Sequence, residues 1–190
     1  MKNYITIMLL LATTTIFAQE TKKELEKEKT KIDAFASKTG SIIKLTDYKL
    51  SGIKTLYGGL SETRIRKINS GSLISYFFQI EKQGKYSTST ASIEYSDLLE
   101  VIKAINSLKT EVEKDLATNP EYLENKFTTV DGFKIGYMIN KGKTTWFLQL
   151  EKYGSDNTIF IENLEMVEKA FEEAKNKIDE LKKHVLHGTS

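Results

Sequence analysis

Apolar and polar residues follow two different periods along this chain. Between Ser41 and Tyr57 the apolar side chains alternate imperfectly, through Ile43, Leu45, Ile53 and the facing Tyr48 and Leu50, which predicts a long or bent strand. Gly58-Gly59 turns the chain into a second strand through Thr63 to Ile68. Asn69-Ser70-Gly71-Ser72 has turn chemistry and leads to a third strand from Leu73 to Lys82. Gly84 then opens a turn into a fourth strand near Tyr86 to Tyr95. Past Asp97, placed where a helix N-cap belongs, the period lengthens: Leu98, Val101, Ile105, Leu108 and Val112 are spaced 3, 4, 3 and 4. That helix stops near Asn119-Pro120, because proline lacks the N–H a helix needs.

The plan then repeats. Tyr122 to Val130, Phe133 to Ile139, Thr144 to Lys152 and Thr158 to Glu162 are predicted strands, with Asp131-Gly132 and Lys141-Gly142-Lys143 as turns. Asn163 caps a last helix whose seam is Leu164, Val167, Phe171, Ala174, Ile178, Leu181 and Val185. The copies match in letters too. Residues 77–84, FFQIEKQG, precede residues 147–154, FLQLEKYG, by 70 positions and share five identities in eight. In the helices the offset is 66, with Leu98 facing Leu164 and Lys103-Ala104 facing Lys169-Ala170. The lost four residues fall in the turn and fourth strand, where length changes are tolerated.

Each copy is therefore β-β-β-β-α, and the fold class is α+β: two antiparallel sheets covered by long helices. This duplicated plan over residues 41–185 resembles the whirly or PUR-repeat folds, in which two β4α units pack with their helices crossing over. The resemblance implies a crossed helix arrangement, and the family's binding of single-stranded nucleic acid makes that a minor functional expectation. Residues 41–190 form one domain of two repeats, 41–119 and 120–187.

The beginning of the chain is different. Lys2, the apolar run Ile5 to Phe17 and the small Ala18 before Gln19 have the three parts of an export signal, so residues 1–18 are expected to be removed. Residues 19–40 read as a charged accessory helix, from Glu20 to Ser37, with Leu25, Ile32 and Phe35 its large apolar residues. The expected location is periplasmic or extracellular, with no transmembrane segment in the mature chain. The sequence has no cysteine, so its core must hold without disulfides. Of 28 basic residues, removing Lys2 leaves 27 against 26 acidic ones, a balance unlike that of a nucleic-acid binder.

Candidate chemistry is sparse. Alternation in the third strand of each copy turns Ile74, Tyr76, Phe78 and Ile80, and Trp146, Leu148 and Leu150, toward the helices. The opposite face carries Phe77, Gln79 and Glu81, and again Phe147, Gln149 and Glu151. This repeated aromatic, amide and carboxylate row is the candidate binding surface, although one aromatic among polar residues is also ordinary cross-strand packing. Thr63, Arg64, Arg66 and Lys67 beside Lys44, Lys49 and Lys54 form a candidate basic patch, and Tyr48, Tyr57, Tyr86 and Tyr95 are candidate stacking surfaces. His184 and His187 lack further ligands nearby, so no metal site and no cofactor are expected. Without a nucleophile elbow or phosphate loop, an enzyme is not expected either. These features predict an exported binding or protein-interaction domain with a protein or small-ligand partner. A glycan or small-molecule binder is the alternative, and homodimerisation is compatible with both.

Overall fold

The computed structural model describes residues 29–84, 87–154, 156–161 and 163–187. From Lys31 onward the described residues form one compact unit. The expected signal, 1–18, and the accessory helix before residue 29 lie outside the described residues, as does Tyr86. Of that helix the described residues contain α1, Lys31–Ala36, which has no buried residue. Lys31 ties it down: its Nζ lies 2.7 Å from Asp97, and its backbone N–H donates to both carboxylate oxygens of Asp131 at 3.2 and 3.0 Å. Burial holds the Asp131 carboxyl above the usual carboxylate range in spite of that N–H.

The first sheet has the order β1 (Ile43–Lys54), β2 (Leu60–Ser70), β3 (Leu73–Gln83), β4 (Thr88–Glu94), all antiparallel. The second repeats it with β5 (Tyr122–Thr128), β6 (Lys134–Asn140), β7 (Lys143–Gln149) and β8 (Thr158–Ile161). The bend expected in β1 is a bulge between Leu50 and Ile53. Gly52 sits in it because a Cβ there would press on the Leu60 side chain and the Ser61 carbonyl. Both copies join their second and third strands by a two-residue turn. In the second, Lys141 and Gly142 have φ of 49° and 77°, the pair of positive values that a type I′ turn requires.

Helix α2, Tyr95–Ala117, starts three residues earlier than expected. Glu94, in extended geometry, accepts the Ser96 N–H at 2.8 Å and is the cap, so Asp97 lies in the first turn, where it meets Lys31. Helix α3, Leu164–His187, is capped as expected, with Asn163 Oδ1 accepting the Glu165 N–H at 2.8 Å.

The seams are buried within the chain. Leu98, Val101, Ile105 and Leu108 of α2 and Val167, Phe171, Ala174, Ile178 and Leu181 of α3 share one core with Phe78, Ile80, Leu148 and Leu150. Helix α3 packs on β1 and β2 of the other copy, while α2 packs on β3 and β4 and reaches β5 and β6. The cover is thus crossed, and two copies make one core. Phe171 is central to it, edge-on to Phe78 at 5.1 Å and tilted against Phe133 at 6.1 Å. Beneath the end of α2, the fully buried Tyr137 donates its hydroxyl to Asp115 at 2.6 Å. Burial first, then that bond, pushes the Tyr137 phenol up to about 12.

Candidate functional site on the outer face of the first sheet

Pairing register defines the sheet face turned away from α2 and α3. Across it, Asp47 on β1 opposes Arg66 on β2, and Arg66 opposes Phe77 on β3, which opposes Glu94 on β4. The next row runs Lys49, Arg64, Gln79 and Ser92. Phe77, Gln79 and Glu81 are therefore on one face, as alternation requires.

They do not form an open surface. Phe77 is 1 % exposed and Gln79 2 %, and α1 packs against β2 and β4, the strands that flank β3. Gln79 is bonded on both sides: Arg64 Nε donates to its Oε1 at 2.9 Å, and its Nε2 donates to Ser92 Oγ at 2.8 Å. Arg64 also reaches Glu81 Oε2 at 2.6 Å, and Arg66 grips Asp47 through two parallel bonds of 2.8 and 2.6 Å. The Arg66 bond, aided by the charges of Arg66 and Arg64, holds the Asp47 carboxyl below the usual range and Arg66 above its own. The expected basic patch is dissolved by this network, since its two arginines are neutralised and Thr63 is buried, donating to the Ser51 carbonyl at 2.7 Å. Lys67 lies over the Tyr76 ring at 5.9 Å.

In the second copy Phe147 is 5 % exposed, between Gly136 on β6 and Phe160 on β8. Gln149 accepts from Lys134 Nζ at 3.0 Å. Glu151 leaves the row altogether. Strand β7 ends at Gln149, and the Glu151 carboxylate turns to the Thr90 N–H of β4, 3.1 Å away. The two rows thus lie on two sheets, and only Glu81, Gln149 and Glu151 are partly open.

The tyrosines are engaged as well. Tyr95 donates to Asp179 at 2.5 Å beneath the Lys182 ammonium, and its phenol is pushed up to about 12, mainly by that bond. Tyr48 is half-buried with Lys177 over its ring, whereas Tyr57 is 81 % exposed with its edge toward Phe160. His184 is 3.9 Å from Glu180, and among the described residues no three potential metal ligands gather.

Sequence reasoning missed an aliphatic group at the open end of the first sheet. Ile42 is 92 % exposed, Leu45 52 %, Leu73 51 % and Ile74 36 %, with Ile43 half-buried among them. Register puts Ile43, Leu45 and Leu73 together on the outer face, Ile43 and Leu73 flanking Ser70 and Leu45 beside the buried Ile68, whereas Ile74 pairs with Asn69 beside Lys44 on the opposite face. The signal was Ile43 and Leu45 on one parity of β1, opposite the turn before Leu73. Exposed Lys44 and the half-buried Lys67 lie on the same face as Ile74, while Asp47, on the outer face, is held by Arg66. No protein family, curated protein or solved structure matches the chain.

Proposed function

We propose that this is an exported, non-enzymatic domain that captures another protein on the open end of its first sheet. The observation that carries the reading is the aliphatic group on the outer face, exposed Leu45 and Leu73 with the half-buried Ile43 between them, because single exposed leucines are ordinary but a gathered set marks a contact surface. Burial of Phe77 and Phe147 takes the repeated row away from a sugar, and Tyr57 stays the exposed candidate ring for the glycan alternative. Export rests on the pattern of residues 1–18, with Lys2 before the apolar run and Ala18 at its end.

The test is a photocrosslinking amino acid at Leu73, irradiated in cells that normally make the protein. A single adduct with a different polypeptide is expected, lost when Leu45→Asp is added and far-UV circular dichroism is unchanged. No adduct, an adduct indifferent to Leu45→Asp, or an adduct of the chain with itself would overturn the reading.

A further inference from the structure

The two sheets have four edges: β1 and β4 in the first, β5 and β8 in the second. Three of them have at least one backbone group bonded from elsewhere in the fold. On β1, the backbone N–H and hydroxyl of Ser51 both donate to Glu173 Oε1 on α3, at 3.3 Å. On β4, the Thr90 N–H donates to Glu151. On β8, the Phe160 carbonyl accepts the Leu56 N–H at 2.8 Å, and the Thr158 carbonyl accepts from Lys82 Nζ at 3.0 Å. Strand β5 receives no such bond among the described residues. An open edge is a template for another strand.

The order of residues in β5 says which strand fits. Gly136 of β6 lies hard against the Asn125 carbonyl, so Asn125 directs its backbone groups at β6. By alternation, Glu124 and Lys126 direct theirs outward. A second β5 laid antiparallel with Asn125 opposite Asn125 sets Glu124 against Lys126 twice and Leu123 against Phe127 twice. The faces agree as well. Leu123, Asn125 and Phe127 are the half-buried, helix-facing residues, and Tyr122, Glu124, Lys126 and Thr128 are the exposed ones. Sliding either way to the next register that keeps the faces puts Glu124 against Glu124 or Lys126 against Lys126, which is repulsive.

We propose that β5 pairs antiparallel with β5 of a second copy of this chain, about a two-fold axis at Asn125, joining two second sheets into one of eight strands. In the single chain Lys126 Nζ lies 2.5 Å from Glu124, and Tyr122 donates to the same carboxylate at 2.7 Å. Pairing exchanges that local contact for two across the axis. The surface is separate from the aliphatic end of the first sheet, so the two proposals stand or fall independently.

Sedimentation equilibrium of the full chain over a range of concentrations tests it. A mass that doubles with concentration is expected. Glu124→Lys alone and Lys126→Glu alone should each raise the dimer Kd by about tenfold or more, since each turns both cross-axis pairs repulsive. Mixing the two single variants in equal amounts should restore the dimer, because every pair across the axis is then opposite in sign. No intrachain contact explains that rescue. Circular dichroism melts of both variants establish that they fold. A chain that stays monomeric throughout, a dimer indifferent to both reversals, or a mixture of folded variants that fails to dimerise overturns the proposal.

Discussion

Replacing Phe171 by alanine removes the ring on which the two copies converge. The side chain is fully buried, edge-on to Phe78 at 5.1 Å and tilted against Phe133 at 6.1 Å. Truncating a buried phenylalanine costs about 3–5 kcal/mol through lost transfer energy and the cavity left behind. Its two ring contacts, each worth about 0.5–1.5 kcal/mol beyond the area, place this site in the upper half of that range. In a unit of this size 1 kcal/mol moves the melting temperature by about 2–4 °C, so Phe171→Ala should melt roughly 8–20 °C lower. The control is Lys175→Ala, one turn further along α3, where the ammonium faces Asp179 at 3.3 Å and both side chains are about a third exposed. An ion pair of that kind contributes about 0.3–0.5 kcal/mol, so the variant should melt within about 2 °C of the parent. Far-UV circular dichroism melts at one protein concentration read both. Equal melting temperatures for the two variants would show that α3 buries a different face, and the crossed cover would fall with it.

Other expectations follow from burial and from the two most strongly perturbed phenols. Phe77→Ser and Phe147→Ser should each lower the urea midpoint by about 3 kcal/mol or more of stability, because both rings are buried on the outer faces; a double variant with the parent midpoint would make the row a surface. Tyr95 and Tyr137 have folded pKa values raised from 10.0 to about 12, so the folded state holds their protons more tightly than the unfolded chain does. Their contribution is full below pH 10 and is lost as pH rises toward 12. Urea unfolding at a series of pH values should therefore show stability falling through that window, with a shallower fall in Tyr95→Phe and Tyr137→Phe; slopes identical to the parent would contradict the buried phenol bonds.

The architecture was legible because periodicity reports which face a residue occupies. The change from alternation to the 3-4 seam at Leu98, and its repetition at Leu164, locate both helices, and the FFQIEKQG match locates the second copy. Periodicity does not report what covers a face. Phe77 is on the outer side as alternation requires, yet it is buried, and α1 lies over the flanking strands with a stripe as thin as Ile32 and Phe35. The basic patch failed for a related reason. Arg64 and Arg66 find Glu81 and Asp47, 17 and 19 residues away, only through strand register. Asp97 lost the cap because Glu94, three residues before it, already bonds the Ser96 N–H. Glu151 left its row because β7 ends at Gln149, and one strand end undoes any parity argument beyond it.

Crossed helices also set an order of events during synthesis. The first sheet is complete in sequence at Glu94, but the helix that packs on β1 and β2 ends at His187. At about 5–20 residues per second the first sheet waits roughly 5–20 s for its cover. Over that time β1 and β2 have one face without a lid, and the nascent chain remains extensible and sensitive to proteases. Proteolysis of ribosome-bound chains would measure the delay, which a chain whose first half seals itself would lack.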